Sequence, residues 1–430
     1  MRPLVIRLVR SPVKWLAPLL AWWLFWIDSE LRRSGFPLWS EVAPSFLYSV
    51  LVLGPIAAAF AGLRAWAERR PSLSELTGTA VRDPAVRQAV AAAGDVLWVS
   101  AAQVIVAAVT LTRVALAASW GGPDWGMLLA SFVALWACAA LGWGAGWLVP
   151  TRVTGPLVGL ALYFVMGVAL SFDFEVFRRF LVLLPSGAPQ GLNPPEMVAG
   201  WVGWLQVVWF GSIMLLGLGA AVALARRRFP AGWLGIGTVA AVVSAVILLQ
   251  APDRQVDPNA PLVCDQGTVE VCVHPAYESQ LPELAEVIRA TVAPLVEAEV
   301  IPARVVQDEY LEDESSDESA VGFSPHPDLE FVAENVALSA LGDGYCFVDE
   351  TGGTAYLAWD FTARWLVIQA GLEPPAQSFP APENPPLFFD EAQEDAFERF
   401  ETLGSDGRVT WLRDHYEALV ACRVGIEEIG

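Results

Sequence analysis

The sequence predicts an α-helical transmembrane bundle followed by an acidic α+β domain. Three observations predict this fold class: seven apolar stretches lie in the first 250 of the 430 residues, no further one follows, and carboxylates concentrate in the remainder. A helix needs about 20 mostly apolar residues to cross a hydrocarbon core of roughly 30 Å, because its backbone must be hydrogen-bonded internally there. The chain therefore has the composition of a membrane protein that carries one globular domain.

Each apolar stretch is a candidate span, and the last one anchors the globular domain. The predicted spans are 11–27, 42–63, 96–120, 125–149, 157–172, 198–225 and 231–249. The first and the fifth are short for a crossing. We expect residues 1–228 to form a six-span domain, 229–250 a seventh transmembrane helix and 251–430 the acidic domain.

The cations near the span ends predict the orientation, because Lys and Arg are retained on the cytoplasmic side of a membrane. The amino-terminal segment and the even-numbered loops hold thirteen cations, whereas the odd-numbered loops hold only Arg32, Arg33, Arg178 and Arg179. We therefore expect a cytoplasmic amino terminus. After seven crossings, the C-terminal domain is extracytoplasmic.

Charge separates the two halves of the chain. Residues 1–250 contain 18 cations and 11 carboxylates, and the remainder contains 8 cations and 36 carboxylates. A domain with about 28 net negative charges repels nucleic acid and anionic lipid. The sequence thus predicts no nucleic-acid partner.

Several kinds of catalytic site are excluded by missing motifs. Lys14 is the only lysine, so a GxxxxGK[ST] phosphate-binding loop cannot form, and the HExxH, GxSxG and C-x-x-C motifs are also absent. His274, His326 and His415 lack metal-ligand spacing and are interpreted as surface or capping residues, with a catalytic cluster as the alternative. We expect no enzyme activity, no metal and no cofactor in this chain.

Four of the five cysteines lie in the C-terminal domain, which fits an oxidising compartment. Cys264 and Cys272 flank seven residues in which Gly267 could turn a hairpin, so we predict that they pair. Cys346 and Cys422 would then form a long-range bridge. Four cysteines allow three pairings, and free buried thiols are the alternative.

Two loops of the membrane half have their own organisation. Between spans 2 and 3, Ser72 and Glu75 have capping-box spacing just after Pro71, which predicts a short helix along the membrane. Between spans 5 and 6, residues 177–184 are too apolar for a free connector and too short to cross. They predict a helix that dips into the outer leaflet and stops at Pro185.

These features, together with the amino-terminal RPLVIRLVR and the run LGPIAAAFAG, RAWAERR and LSEL, resemble the membrane subunits of type-2 ATP-binding-cassette exporters. The resemblance covers residues 1 to about 228, and the seventh span and the acidic domain depart from that pattern. VCVHPAY and WLRDHYEALVACRVG look like external portions of permease-like proteins of high-GC bacteria. A bacterial cytoplasmic membrane is the location that this implies.

The resemblance implies an ATP-driven transporter subunit, in particular an exporter, that pairs as a homodimer or heterodimer and binds a separate ATPase subunit. It implies a partner-coupling helix, for which the candidate residues are Arg69, Arg70, Ser72, Leu73, Glu75 and Leu76. Arg113, inside span 3, is a candidate for the substrate path, with snorkelling to the interface as the alternative. Other functions for the whole chain are a membrane-anchored extracytoplasmic receptor or assembly module, and a hydrolase.

Short strands near 262–264 and 268–273 and an amphipathic helix over 279–298 open the predicted α+β domain. Later helices are predicted over 354–371, 390–403 and 408–421. A proline-rich linker, EPPAQSFPAPENPP, separates the first of these from the other two.

Overall fold

The computed structural model describes residues 12–15, 17–31, 36, 38–69, 84–171, 180–185, 196–226, 231–251, 255–256, 261–311, 320–342, 354–373 and 391–429. The chain divides into two compact units. Unit 1 comprises Met1–Arg33 and Pro37–Val256, and unit 2 comprises Ser34–Phe36 and Asp257–Gly430.

Unit 1 is helical. Its helices are α1 (Ala17–Leu31), α2 (Trp39–Glu68), α3 (Pro84–Ala117), α4 (Trp125–Leu148), α5 (Thr154–Ser171), α6 (Gly200–Arg226) and α7 (Ala231–Leu248). Among the described residues, α2, α4 and most of α3 and α6 are long and apolar enough to cross a membrane, and α5 and α7 contain shorter apolar helices. The predicted helices of this half are thus present in the described residues, and four of them are candidate membrane spans.

Close backbone contacts fix the relative directions of the helices. A Cβ on Gly146 of α4 would lie 2.5 Å from the Gly62 carbonyl of α2, and one on Gly54 would lie 2.8 Å from Cys138 Sγ. Because the residue numbers rise together on both helices, α2 and α4 are parallel. The same reasoning applies to α4 and α6, where a Cβ on Gly217 would lie 2.6 Å from the Ala140 carbonyl and one on Gly126 would lie 3.0 Å from Trp204 N.

The other three helices run in the opposite direction. A Cβ on Gly155 of α5 would lie 2.5 Å from the Ala59 carbonyl and one on Gly159 would lie 2.7 Å from the Pro55 carbonyl, so residue numbers fall on α2 as they rise on α5. Hydrogen bonds between α3 and α4 show the same reversal for α3. For α7 the reversal is shown by Gly219 of α6, which lies close to Leu234, and by Gly237 of α7, which lies close to Leu216. The six helices α2–α7 therefore alternate in direction.

We name the two ends of unit 1 after residues at them. At the Asp124 end, α2, α4 and α6 begin; at the Arg69 end, they finish. Two short strands close the α6–α7 hairpin at the Asp124 end, because β1 (Glu196–Met197), before α6, pairs antiparallel with β2 (Gln255–Val256), after α7.

Small residues allow α4 to pack between its two parallel neighbours. A Cβ at Gly142 would collide with the Ala58 backbone of α2, whereas one at Gly144 would lie 2.8 Å from the Gly217 carbonyl of α6. Helices in lipid gain packing energy from such close approach, since no hydrophobic effect drives them together. The glycines Gly142, Gly144 and Gly146 thus permit the close approach of α4 to its two neighbours.

The described residues of unit 2 form a four-stranded sheet and five α-helices. The strands β3 (Val263–Asp265), β4 (Glu270–Val273), β5 (Arg304–Gln307) and β6 (Val321–Phe323) lie in sequence order, with β3 antiparallel to β4 and the rest parallel. The helices are α8 (Leu281–Glu297), α9 (Leu329–Ala340), α10 (Thr354–Gln369), α11 (Glu391–Thr402) and α12 (Gly404–Val420). The predicted helices of this region and its first hairpin are present, whereas β5, β6 and α9 were not predicted.

The helix α8 crosses between β4 and β5 and holds the first hairpin in place. Its Arg289 donates from Nε to the Val269 carbonyl over 3.0 Å and from Nη2 to the Asp265 carbonyl over 2.9 Å, and it pairs with the Asp265 carboxylate at 3.1 Å. The opposite face of α8 buries Leu284, Ile288 and Val292 in the core. This crossover supplies the parallel part of the sheet.

Candidate functional site: a polar layer inside unit 1

Polar side chains from four helices lie at a similar depth inside unit 1. Three of them hold the same position in parallel helices: Ser45 is the seventh residue of α2, Ser131 of α4 and Gln206 of α6. Each therefore lies about 9 Å from the start of its helix. Gln103 of α3 joins them through a hydrogen bond to Ser131. We call these four residues the polar layer; all four side chains are buried.

Gln103 links α3 to α4 within an apolar interior. Its Nε2 donates to Ser131 Oγ over 3.1 Å, and Ser131 Oγ donates its own hydrogen to the Leu128 carbonyl over 2.7 Å. Because that hydroxyl has one hydrogen, Gln103 must present its N–H to Ser131 and not its carbonyl oxygen. The orientation of the amide is therefore fixed, and Gln103 Oε1 has no partner among the described residues.

Gln206 is held in the same way, by the backbone of a short segment at 180–185. Its Nε2 donates to the Val182 carbonyl over 3.1 Å, and one turn further along α6 the Trp209 indole donates to the Leu183 carbonyl over 2.8 Å. A carbonyl accepts and cannot donate, so Gln206 again has to present its N–H. Gln206 Oε1 is buried and has no partner among the described residues.

The same contacts show how the segment 180–185 lies in the bundle. Its carbonyls meet α6 at about 9 to 13 Å from the start of that helix. Two side-chain donors of α6 thus satisfy the backbone carbonyls of Val182 and Leu183. Of the predicted helix over 177–184, residues 177–179 lie outside the described residues, and its insertion into the outer leaflet stays a prediction.

The two amide oxygens without a partner, Gln103 Oε1 and Gln206 Oε1, lower the stability of the folded protein. A buried polar atom without a hydrogen bond costs about 1–3 kcal/mol, and helix packing usually removes such atoms from apolar interiors. Gln103 and Gln206 are 0% and 2% exposed. The layer therefore offers two acceptors, of fixed orientation and similar depth, to a group that brings hydrogen-bond donors.

Two carboxylates lie between the polar layer and the Asp124 end. Glu41 is buried in the first turn of α2, and Asp124 caps α4 by accepting from Met127 N over 2.9 Å. Burial raises the pKa of Asp124, and the backbone N–H groups of Met127 and Gly126 partly oppose this shift. These carboxylates and the two amide oxygens make the region rich in acceptors.

Of the residues predicted for the coupling helix, the structure describes Arg69, which caps the end of α2. Arg69 donates to the Trp147 carbonyl of α4, and its guanidinium lies 5.3 Å from the centre of the Trp147 ring. Arg152 lies in the same way 5.1 Å from the ring of Trp66. These pairs bring Arg69 against the end of α4, whereas Arg70, Ser72, Leu73, Glu75 and Leu76 lie outside the described residues.

Arg113 does not join the polar layer. It lies ten residues after Gln103 towards the Asp124 end, and its side chain is exposed on the surface of unit 1. A long cation near the end of an apolar helix reaches the interface readily. This placement favours the snorkelling alternative, although the role in a substrate path stays a prediction.

The predicted pairing of Cys264 and Cys272 is confirmed. They face each other across β3 and β4 and form a disulfide with Cα atoms 4.1 Å apart. Cys422 is also disulfide-bonded, and Cys346, its predicted partner, lies outside the described residues. Cys138 is a buried free thiol in α4.

The three histidines have separate local roles. His274 Nδ1 caps the turn Pro275–Tyr277 by accepting from Ala276 N over 3.1 Å, and His326 Nδ1 accepts from Asp328 N over 3.1 Å. His415 stacks on Trp411 with ring centres 4.7 Å apart. In the described residues the one group with metal-ligand geometry is Cys264, Glu270 and Cys272, whose two sulfurs are already bonded to each other.

Sequence reasoning missed Gln103 and Gln206. The available signal was that each is a lone amide inside a predicted span, since intramembrane polar side chains usually face the interior of a bundle. Their common depth depends on helix register and could not be read from either stretch alone. Comparisons of the chain with protein-family models, with curated proteins and with solved structures found no match.

Proposed function

We propose that this chain is the transmembrane subunit of an ATP-driven transporter of the ATP-binding-cassette type, working as an exporter, with ATP hydrolysed by a separate subunit. The observation that carries the proposal is the polar layer. A simple membrane anchor needs no buried amides with unfilled oxygens, whereas a transport pathway needs polar groups in the bundle interior. The segment 180–185, docked at the same depth, supports it further.

The alternating helices support a multi-pass topology. Six helices of alternating direction bring the start of α2 and the end of α7 to the same end of unit 1, which fits an even number of passages between residues 37 and 256. The shorter helices α5 and α7 expose apolar side chains, among them Leu160, Phe164, Ile236 and Val239. Exposed apolar surface of this extent is typical of contact with lipid. We therefore propose seven spans, in which α1 is the first and α2–α7 are the other six.

The ends of unit 1 support the proposed orientation. Arg69, Arg152 and Arg226 lie at or next to the Arg69 end, and exposed tryptophans mark the Asp124 end at Trp120, Trp125, Trp201 and Trp204. Cations collect on the cytoplasmic side and indoles at interfaces. We place the Arg69 end in the cytoplasm, so that the predicted coupling helix faces the ATPase partner. The C-terminal acidic domain is then extracytoplasmic.

Co-purification from native membranes tests the proposal. The full-length chain should capture a nucleotide-binding subunit, and Leu76→Glu in the predicted coupling helix should abolish the capture while the protein stays folded. Val153→Glu is the matched control, because Val153 is an exposed apolar residue at the same end of unit 1. If the unaltered chain captures no nucleotide-binding subunit, the proposal is wrong.

The alternative, a membrane-anchored receptor or assembly module, is favoured by one observation. Unit 2 has its own core, which includes Trp359, Phe361 and Phe400. This function predicts that the protein or ligand bound by the full-length chain is lost when residues 257–430 are removed. The transporter proposal predicts instead that the nucleotide-binding subunit is still captured by that shortened chain.

A further inference from the structure

The two atoms of the polar layer that lack a hydrogen-bond partner among the described residues are both hydrogen-bond acceptors. Both amides present their N–H groups to partners that can only accept, as Ser131 Oγ and the Val182 carbonyl do. In both residues the atom left without a hydrogen-bond partner among the described residues is therefore the carbonyl oxygen. Rotating either amide would set two acceptors against each other.

The charged residues near the layer also disfavour a ligand that is an anion. Glu41 and Asp124 lie between the layer and the nearer end of the bundle. Among the described residues, no Lys or Arg belongs to the layer, and Arg113 is exposed on the outside. An anion entering from this end would meet two carboxylates and two amide oxygens, and the layer holds no cation to offset the loss of its hydration.

We infer that the polar layer is a binding site for an uncharged group that donates hydrogen bonds, such as a hydroxyl, to Gln103 Oε1 and Gln206 Oε1, and that it rejects anions. This inference rests on the proposed transport function, since it names the chemistry of the cargo that the layer would hold. The apolar walls formed by α2, α4 and α6 suit a cargo whose remaining part is apolar. A hydroxyl-bearing amphiphile has both properties.

Binding of three probes with one oleoyl chain tests the inference. The full-length chain is purified in lauryldimethylamine oxide, which lacks hydroxyl groups that would compete. Monooleoylglycerol carries two hydroxyl donors, its diacetate carries none, and oleate is an anion that only accepts. Native mass spectrometry should show monooleoylglycerol bound about tenfold or more tightly than the diacetate, and oleate weakest, since one to two hydrogen bonds separate the first two probes.

Gln103→Met should remove most of this preference. It deletes the acceptor at similar side-chain length and leaves no partner unsatisfied, because Ser131 still donates to the Leu128 carbonyl. Gln206→Met is the second variant and should act in the same direction. Ser212→Ala is the matched control, since Ser212 is a buried polar residue of α6 whose hydroxyl is satisfied by the Val208 carbonyl of its own helix.

Equal binding of monooleoylglycerol and its diacetate to the unaltered chain would overturn the inference, and so would tighter binding of oleate. A preference that survives both glutamine substitutions would also overturn it. The assay needs no ATPase subunit. Loss of donor selectivity with a nucleotide-binding subunit still captured therefore rejects this inference alone, whereas failed capture with intact selectivity rejects the transporter assignment.

Discussion

Tyr416 shows how a single side chain of unit 2 ties two helices together. Tyr416 belongs to α12, and its hydroxyl donates over 2.6 Å to the Ala340 carbonyl at the end of α9. Burial raises the pKa of this phenol from its usual value of about 10. The charged phenolate is thus disfavoured in the folded state, and its hydrogen bond to the carbonyl would be lost.

The sign of the pH effect follows from this shift. Because the folded-state pKa lies above the unfolded one, the contribution of Tyr416 to stability is full below about pH 10 and falls as the pH rises further. Tyr416→Phe should cost about 1 kcal/mol in the free energy of unfolding at pH 8. Above pH 10 the difference between the two proteins should shrink. The stability difference is measured by denaturant unfolding of the full-length chain, monitored by near-ultraviolet circular dichroism of unit 2. A difference that stays unchanged up to pH 11 would contradict the hydrogen bond from Tyr416 to Ala340.

Gln103 and Gln206 illustrate what can be predicted from the sequence at the scale of a residue. Their identity and their place within apolar stretches are visible in the sequence. Which amide atom lacks a partner is not, because it depends on Ser131 and on the backbone of Val182, which the fold alone brings to them. Cys264 and Cys272 were easier to predict, since a short hairpin brings near neighbours together.

At the scale of elements, α4 depends on glycine where it crosses α2. Gly142→Ala places a methyl group into the Ala58 backbone, which cannot move aside without separating the helices. We expect a loss of about 1–3 kcal/mol in stability, seen as a lower unfolding temperature in detergent. Gly235→Ala in α7, where the added methyl meets nothing within 4 Å, is the control and should be neutral or stabilising. Equal melting of both variants would show that α2 and α4 do not approach as described.

The segment 180–185 depends on the donors from α6. Trp209→Phe keeps the aromatic ring but removes the N–H that satisfies the Leu183 carbonyl. The segment should open more often, so that amide hydrogens at Leu183 and Leu184 exchange about fivefold faster, as expected for one lost hydrogen bond. Trp204→Phe, an exposed position on the same helix, should leave the exchange unchanged. Unchanged rates in Trp209→Phe would mean that the indole does not hold the segment.

The elements that the sequence predicts well are those with a long local pattern. The apolar runs of α2 and α4 and the amphipathic face of α8 carry enough residues to define a period. The strands β5 and β6 have four and three residues, and their pairing is set by neighbours far away in the chain. Such strands leave no periodicity that a local pattern could reveal.

At the scale of the whole molecule, the topology can be tested directly. In a Cys138→Ala background, Ser119→Cys lies at the Asp124 end and Val153→Cys at the Arg69 end, both at exposed positions. A maleimide that cannot enter cells should label the first and spare the second, because α4 would separate them by a membrane. Lysis should make both reactive. Labelling of both in intact cells would show that α4 does not cross, and labelling of Val153→Cys alone would invert the proposed orientation.

The two kinds of contact inside unit 1 have a mechanical consequence. Backbone lies directly against backbone where α4 meets α2 and α6, so those three helices have little freedom to slide past each other. The contact of α3 with α4 instead includes side-chain hydrogen bonds, which can be exchanged for other partners without moving backbone through backbone. If unit 1 changes shape, we therefore expect α2, α4 and α6 to move together as a rigid group while α3 shifts along them. The hydrogen bond of Gln103 to Ser131 would hold α3 in its present position.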